Sequence, residues 1–398
     1  STKPVGGGQN KGIFSKNRFI YECGIDIRHW KWYYGQGIAA KTQFLNNHST
    51  FYLITHMQYL TAGVAKTKGW LDQNTDFTTD EQGRLVVGHG EFRYIVNIGW
   101  GQLDPSVTPV NDCHEMVQDS QGRILLLTNE PRNHVVIYDK SGRFIESWGT
   151  EYPGAHGLTL SRENGEDFLF ICDNQRHQVI KTTLSGKEVM VLDYPKQSGV
   201  YDSAEQYIPT EVAVAPNGDF YVADGYGLDW IIQYDHNGQY VRHFGGKGTG
   251  IAQLNNAHGV CVDVRHPEDP VLWATSRPDH TFKRFSMSGV YQDQVHLPGA
   301  WVCRPVIHGT YLYAAVLVSE KLGFNGGSGF ITILDKDNRV VSNPGGLEPT
   351  YKHGHLQEMC QAFPIFQYPH DVCVDDDQNL YVPQWNSGKV YPYKLERI

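Results

Sequence analysis

The sequence holds no apolar run near the 18 residues that a membrane-crossing helix needs, and no charged segment leading into an apolar one follows Ser1-Thr2-Lys3. A membrane span and an export signal within this chain are therefore not expected. Long blocks of like charge are missing too: 34 basic and 43 acidic residues are dispersed and leave a formal charge of −9. A phosphate-backbone partner needs clustered Lys and Arg to displace counterions, so nucleic acid is excluded as a partner. Paired cysteines are also lacking, since there are seven. Cys261, in His-Gly-Val-Cys-Val-Asp, and Cys373, in His-Asp-Val-Cys-Val-Asp, hold the same place in like apolar stretches. That is the pattern of a repeated reduced core thiol rather than a disulfide frame, and it points towards a reducing compartment without naming one.

What is present is a turn-rich, core-forming composition: 40% hydrophobic, 12% aromatic and 42 glycines in 398 residues. Self-similarity organises it. Glu211-Val-Ala-Val-Ala-Pro-Asn-Gly-Asp-Phe-Tyr-Val-Ala-Asp, followed by Trp230 to Gly245, reads as four short alternating strands joined by Asn-Gly turns. Like copies begin at His114, His156, His258, Arg304 and His370, spaced 42 to 66 residues apart. Six blade-sized repeats predict an all-β, six-bladed β-propeller over residues 91–398. The last copy lacks its fourth strand, and the stretch Glu91 to Trp100 is an orphan strand that would supply it and leave no sheet edge open. Residues 1–90 lie outside the repeat. Trp30 to Tyr34 and a helix within Ile38 to Tyr59 are expected to form an irregular, partly helical cap.

In a propeller the first strand of each blade lines the axis, so equivalent repeat positions converge. Here that position reads His114, His156, Glu211, His258, Arg304 and His370. A neutral imidazole is a directed metal ligand, and several with an open position make a Lewis-acid site. The four histidines are the expected ligands of a divalent transition ion, zinc foremost and copper not excluded. Glu211 and Arg304 are expected beside them as catalytic groups. Tyr226, in Ala-Asp-Gly-Tyr-Gly, can bend over the axis and act as a base if a nearby cation lowers its pKa. Arg277, in the next blade, can hold a substrate carboxylate. The other histidines, His134 and His177 among them, are expected in strand-edge and loop positions at the surface.

These motifs resemble those of peptidyl-α-hydroxyglycine α-amidating lyases, which are NHL-repeat propellers, over roughly residues 110–395. Pro153-Gly-Ala-His156, Asn256-Ala-His258 and Tyr368-Pro-His370 are similar to the motifs carrying that family's zinc ligands. Ala-Asp-Gly-Tyr226 resembles the stretch with its catalytic tyrosine. The resemblance implies a metal-dependent lyase acting on a small hydroxylated substrate. It also implies a structural calcium held by the side chain of Asp371 and the carbonyls of Met116 and Leu158. Asn129 stands where the family has a catalytic arginine, with Arg132 nearby. His114 stands where the family has a small residue, and Pro209 and Gly227 where it has a disulfide. A calcium-dependent lactonase-type hydrolase and a non-catalytic NHL binding module remain open as alternatives.

Overall fold

The computed structural model describes residues 78–323, 328–362 and 364–398. The expected cap at Trp30 to Tyr34 and the helix within Ile38 to Tyr59 lie outside them.

The repeats fold as read. The first blade has strands Cys113–Gln118, Ile124–Thr128, Val135–Tyr138 and Phe144–Trp148. The second runs Ala155–Glu163, Glu166–Asp173, Gln178–Thr183 and Glu188–Leu192. The third and fourth begin with Glu211–Val214 and Val260–Asp263. Neighbouring strands pair antiparallel, and their tight turns have a visible chemical cause. The carboxylate of Asp139 accepts from the amides of Ser141 and Arg143, and that of Asp235 from Asn237 and Gln239. Each such aspartate fixes its own turn by local bonding. The following Gly142 takes a φ of +89°, which a side chain would resist.

The fifth blade is irregular at its inner edge. Its first strand is split into Ala300–Val302 and Val306–His308, both paired with Tyr311–Ser319. Arg304 sits in the break.

The ring closes as expected. Phe92–Asn97 pairs with Tyr393–Arg397, in register Leu395 with Val96, and so supplies the fourth strand of the last blade. The same sheet continues outward through Leu85–His89 and Thr78–Thr79. Buried apolar side chains form one cluster at each blade interface. Leu125, Leu127 and Ile137 meet Leu158 and Ile171 between the first and second blades, while Trp100 and Tyr138 meet Tyr381 between the first and last. At about 1.5–3 kcal/mol for each large side chain removed from water, these interfaces are what hold the ring together. Cys373 is buried and Cys261 half-buried, and both carry free thiols. His134, expected at the surface, is instead buried, and its Nδ1 accepts from the Tyr152 amide at 3.1 Å. Among the described residues no helix is long and apolar enough to cross a membrane.

Candidate metal centre

Two of the axial histidines owe their direction to bulges. In the first blade Cys113 pairs with Thr128 and Glu115 with Leu127, so His114 is an extra residue thrown out of the ladder. In the second, Ala155 pairs with Asp173 and Gly157 with Cys172, which does the same for His156. A bulge re-aims one side chain without disturbing the strand around it. His258 and His370 precede the inner strands of their blades, and the His370 amide donates to the Pro383 carbonyl.

The four imidazoles meet at the axis. Ring centroids lie 4.9 Å apart for His114 and His156, and 4.8 Å apart for His114 with His370 and for His156 with His258. One ring nitrogen from each of His114, His156 and His370 falls within 4.8 Å of the others. His258 stands in the ring but outside that tightest group. Burial holds all four imidazoles far below the usual histidine range, His114 down to about 3, so they are neutral and able to donate lone pairs. Nδ1 of His156 bonds to the Thr210 carbonyl and Nδ1 of His370 to the His114 carbonyl, each at 3.0 Å. A neutral ring can only donate to a carbonyl, so Nε2 of both carries the lone pair. This is the backing that metal-ligating histidines have. Nδ1 of His114 is buried without a hydrogen-bond partner. The donor set fits a divalent transition ion.

Tyr226 closes the ring from above. The residue is partly exposed, yet its hydroxyl points inward, 3.0 Å from Nε2 of His156 and 3.1 Å from Nε2 of His258. Asp224 anchors the loop, accepting from the Ile208 and Leu228 amides and from the Tyr201 hydroxyl. The expectation of a lowered phenol pKa is corrected: burial raises it above 10, and the Arg277 guanidinium only opposes that rise. Arg277 is itself buried, with Nε facing the Val302 carbonyl and Nη2 the Cys303 sulfur. It also lies against the Tyr226 phenol.

Glu211 and Arg304 do not face the histidines. The repeat phase slips by one, so Thr210 and Cys303 share the histidine level, and Glu211 and Arg304 lie one residue deeper with Glu115 and Asp371. Arg304 donates from Nε and Nη2 to the two Asp371 oxygens, at 2.8 and 2.9 Å. It also reaches the Leu158 carbonyl at 2.9 Å and the Met116 carbonyl at 3.1 Å. Glu115 and Glu211 lie 3.2 and 3.5 Å from Nη1. The oxygens expected around a calcium ion are thus bound to a guanidinium, and calcium does not fit there. Burial, against the pull of Arg304, holds Glu115 and Glu211 above the usual carboxylate range. Glu115 was not singled out in the sequence, although it follows His114 as Asp371 follows His370.

A cavity of about 410 Å³ opens over the ring, lined by His114, His156, Tyr226, Asn129, Asn174 and Trp385 with a few neighbours. Asn129 is on its wall, held by Asn111 and Asp112. Arg132 is not: it pairs with Glu130, its side chain 60% exposed.

Fold and repeats define a six-bladed β-propeller with a histidine-ringed axis. No protein-family model matches the chain. It is similar to peptidyl-α-hydroxyglycine α-amidating lyase 1 of Drosophila melanogaster, with 27% identity over 347 residues, 80% of this chain and 56% of that protein. It is also similar to peptidyl-glycine α-amidating monooxygenase A of Xenopus laevis, with 35% identity over 269 residues, 65% of this chain and 26% of that protein. The chain thus spans about half the length of the first relative and a quarter of the second. A gluconolactonase of Xanthomonas campestris shares the fold, with a TM-score of 0.51, 11% identity, and 77% of this chain and 90% of that one covered.

Proposed function

We propose that the protein is a metal-dependent lyase that cleaves a C–N or C–O bond at a hydroxyl-bearing carbon of a small polar substrate. The observation that carries this reading is the group of three neutral, buried imidazoles, His114, His156 and His370, of which His114 and His156 line a cavity together with Tyr226. The similarity to proteins named amidating lyases supports the reaction class.

These three side chains would hold the ion, with His258 beside them. When bound, a divalent ion supplies Lewis-acid polarisation of a hydroxyl oxygen. The chain's own groups do the rest. Asn129, Asn174 and Gln175 make the cavity wall polar, as a small polar substrate requires. Only as a phenolate, its own proton already given up, can Tyr226 take the hydroxyl proton; the C–O bond then becomes C=O as the bond to the leaving nitrogen or oxygen breaks, and the phenol so formed returns that proton to the leaving atom. Arg277 steadies charge on the phenol.

Nε2 of His156 has a single lone pair, and it meets the Tyr226 hydroxyl at 3.0 Å. It can accept that hydrogen bond or bind an ion, not both. Loading would therefore leave the Tyr226 hydroxyl with His258 as its imidazole partner, at 3.1 Å.

The test is elemental analysis of the purified protein, then turnover of an N-acyl-α-hydroxyglycine before and after chelation. Activity that disappears with the ion and returns on reloading is expected. A metal-free preparation with full turnover would sink the proposal.

A further inference from the structure

Arg304 leaves the broken inner strand of the fifth blade and ends at oxygens from four others. It meets Met116 and Glu115 of the first blade, Leu158 of the second, Glu211 of the third and Asp371 of the last. Backbone amides complete the cage. The Leu158 amide donates to Glu115, the Met116 amide to Asp371, and the Val212 amide to Glu211. Gly259 leaves room for the Arg304 backbone to approach, since a Cβ there would lie 2.3 Å from the Arg304 Cα. Three carboxylates and two carbonyls are the hard donors that a calcium-sized cation selects.

We propose that Arg304 is the resident cation of this cage: the propeller carries covalently, as a guanidinium, the positive charge that a divalent ion would otherwise bring to its hub. The fork geometry suits the role. Nε and Nη2 take Asp371 in a two-pronged contact, and the remaining N–H groups are spent on the two carbonyls and Glu211, with Glu115 paired by charge. The charge is held firmly. Burial works against the charged form, and Asp371, Glu115 and Glu211 outweigh it. The proposal is independent of any ion at the histidines.

The test is thermal unfolding of the full chain in calcium chloride and in a calcium chelator, with calorimetric titration of calcium. For the wild type, an unchanged Tm in both and no titratable calcium site are expected. Arg304→Ala leaves three buried carboxylates unpaired, and a Tm drop on the order of 5–10 °C is expected. Calcium, and not sodium, should recover much of that drop and titrate to one new site. Arg304→Lys keeps the charge without the fork and should fall between, with no gained site. A wild-type Tm that rises with calcium or falls with chelator overturns the proposal. So does an Arg304→Ala protein that loses no stability or ignores calcium. If Arg304→Ala does not fold, full wild-type stability in Arg304→Lys, or any wild-type response to calcium, overturns it.

Discussion

A single nitrogen links the two halves of the proposed chemistry. Nε2 of His156 faces Tyr226 now and would face an ion in the loaded protein, so titration with zinc should perturb tyrosine absorption in the near ultraviolet. Tyr226→Phe should abolish that difference signal, keep the ion, and lower turnover by roughly 10²- to 10⁴-fold. A zinc-dependent signal that survives in the variant would show that another tyrosine reports binding. His156→Ala removes one of three closely grouped donors, so the purified variant should lose its ion while Tm moves little. Ion content equal to the wild type's would remove His156 from the ligand set.

Elements, rather than single residues, aim these groups. The bulges at His114 and His156 and the loop from Asp224 to Gly227 set three of the directions. Burial pushes Asp224 from 3.8 up to about 7 against three hydrogen bonds, so the fold keeps a proton that the unfolded chain releases. The stability this brings is complete below about pH 4 and is lost as pH rises through about 7. Asp224→Asn should flatten the fall in unfolding free energy over that window, measured by denaturant titration at several pH values. An unchanged slope would show that the carboxyl is ionised throughout. Gly259→Ala, whose methyl would meet the Arg304 backbone, should cost about 1–3 kcal/mol.

At this scale the limits of the sequence are also clear. The blade starts were legible because alternating strands and Asn-Gly turns repeat locally. The histidine ring was legible because four repeats share one residue type at one place. Glu211 and Arg304 were misplaced by one position because a bulge shifts register without leaving a mark in the pattern. In the first two blades the bulge pushes the histidine out of the ladder, while the third pairs Glu211 directly with Ala223. Glu115 was legible by contrast, since it follows His114 as Asp371 follows His370. The rise in Tyr226's pKa depends on burial by residues far apart in the chain, which no local motif records.

The whole molecule depends on ring closure. Phe92–Asn97 covers the last edge, and Phe92 and Tyr94 join the cluster between the fifth and sixth blades, with the Arg397 guanidinium 4.6 Å from the Phe92 ring centre. A chain beginning at residue 98 exposes both the edge and that cluster, so it should aggregate or unfold cooperatively at much lower denaturant concentration. A monomeric, fully stable truncation would show that the blades hold without the clasp. The axis is where closure turns into chemistry, because it alone brings His114, His156 and His370 together from three blades.

Diffraction from crystals of the as-isolated protein, measured on either side of a transition-metal absorption edge, tests that convergence most directly. The account predicts one anomalous peak about 2.0–2.1 Å from a ring nitrogen of each of His114, His156 and His370, and none among the oxygens around Arg304. No peak at the imidazoles after soaking with zinc, or a peak in the Arg304 cage instead, would contradict it.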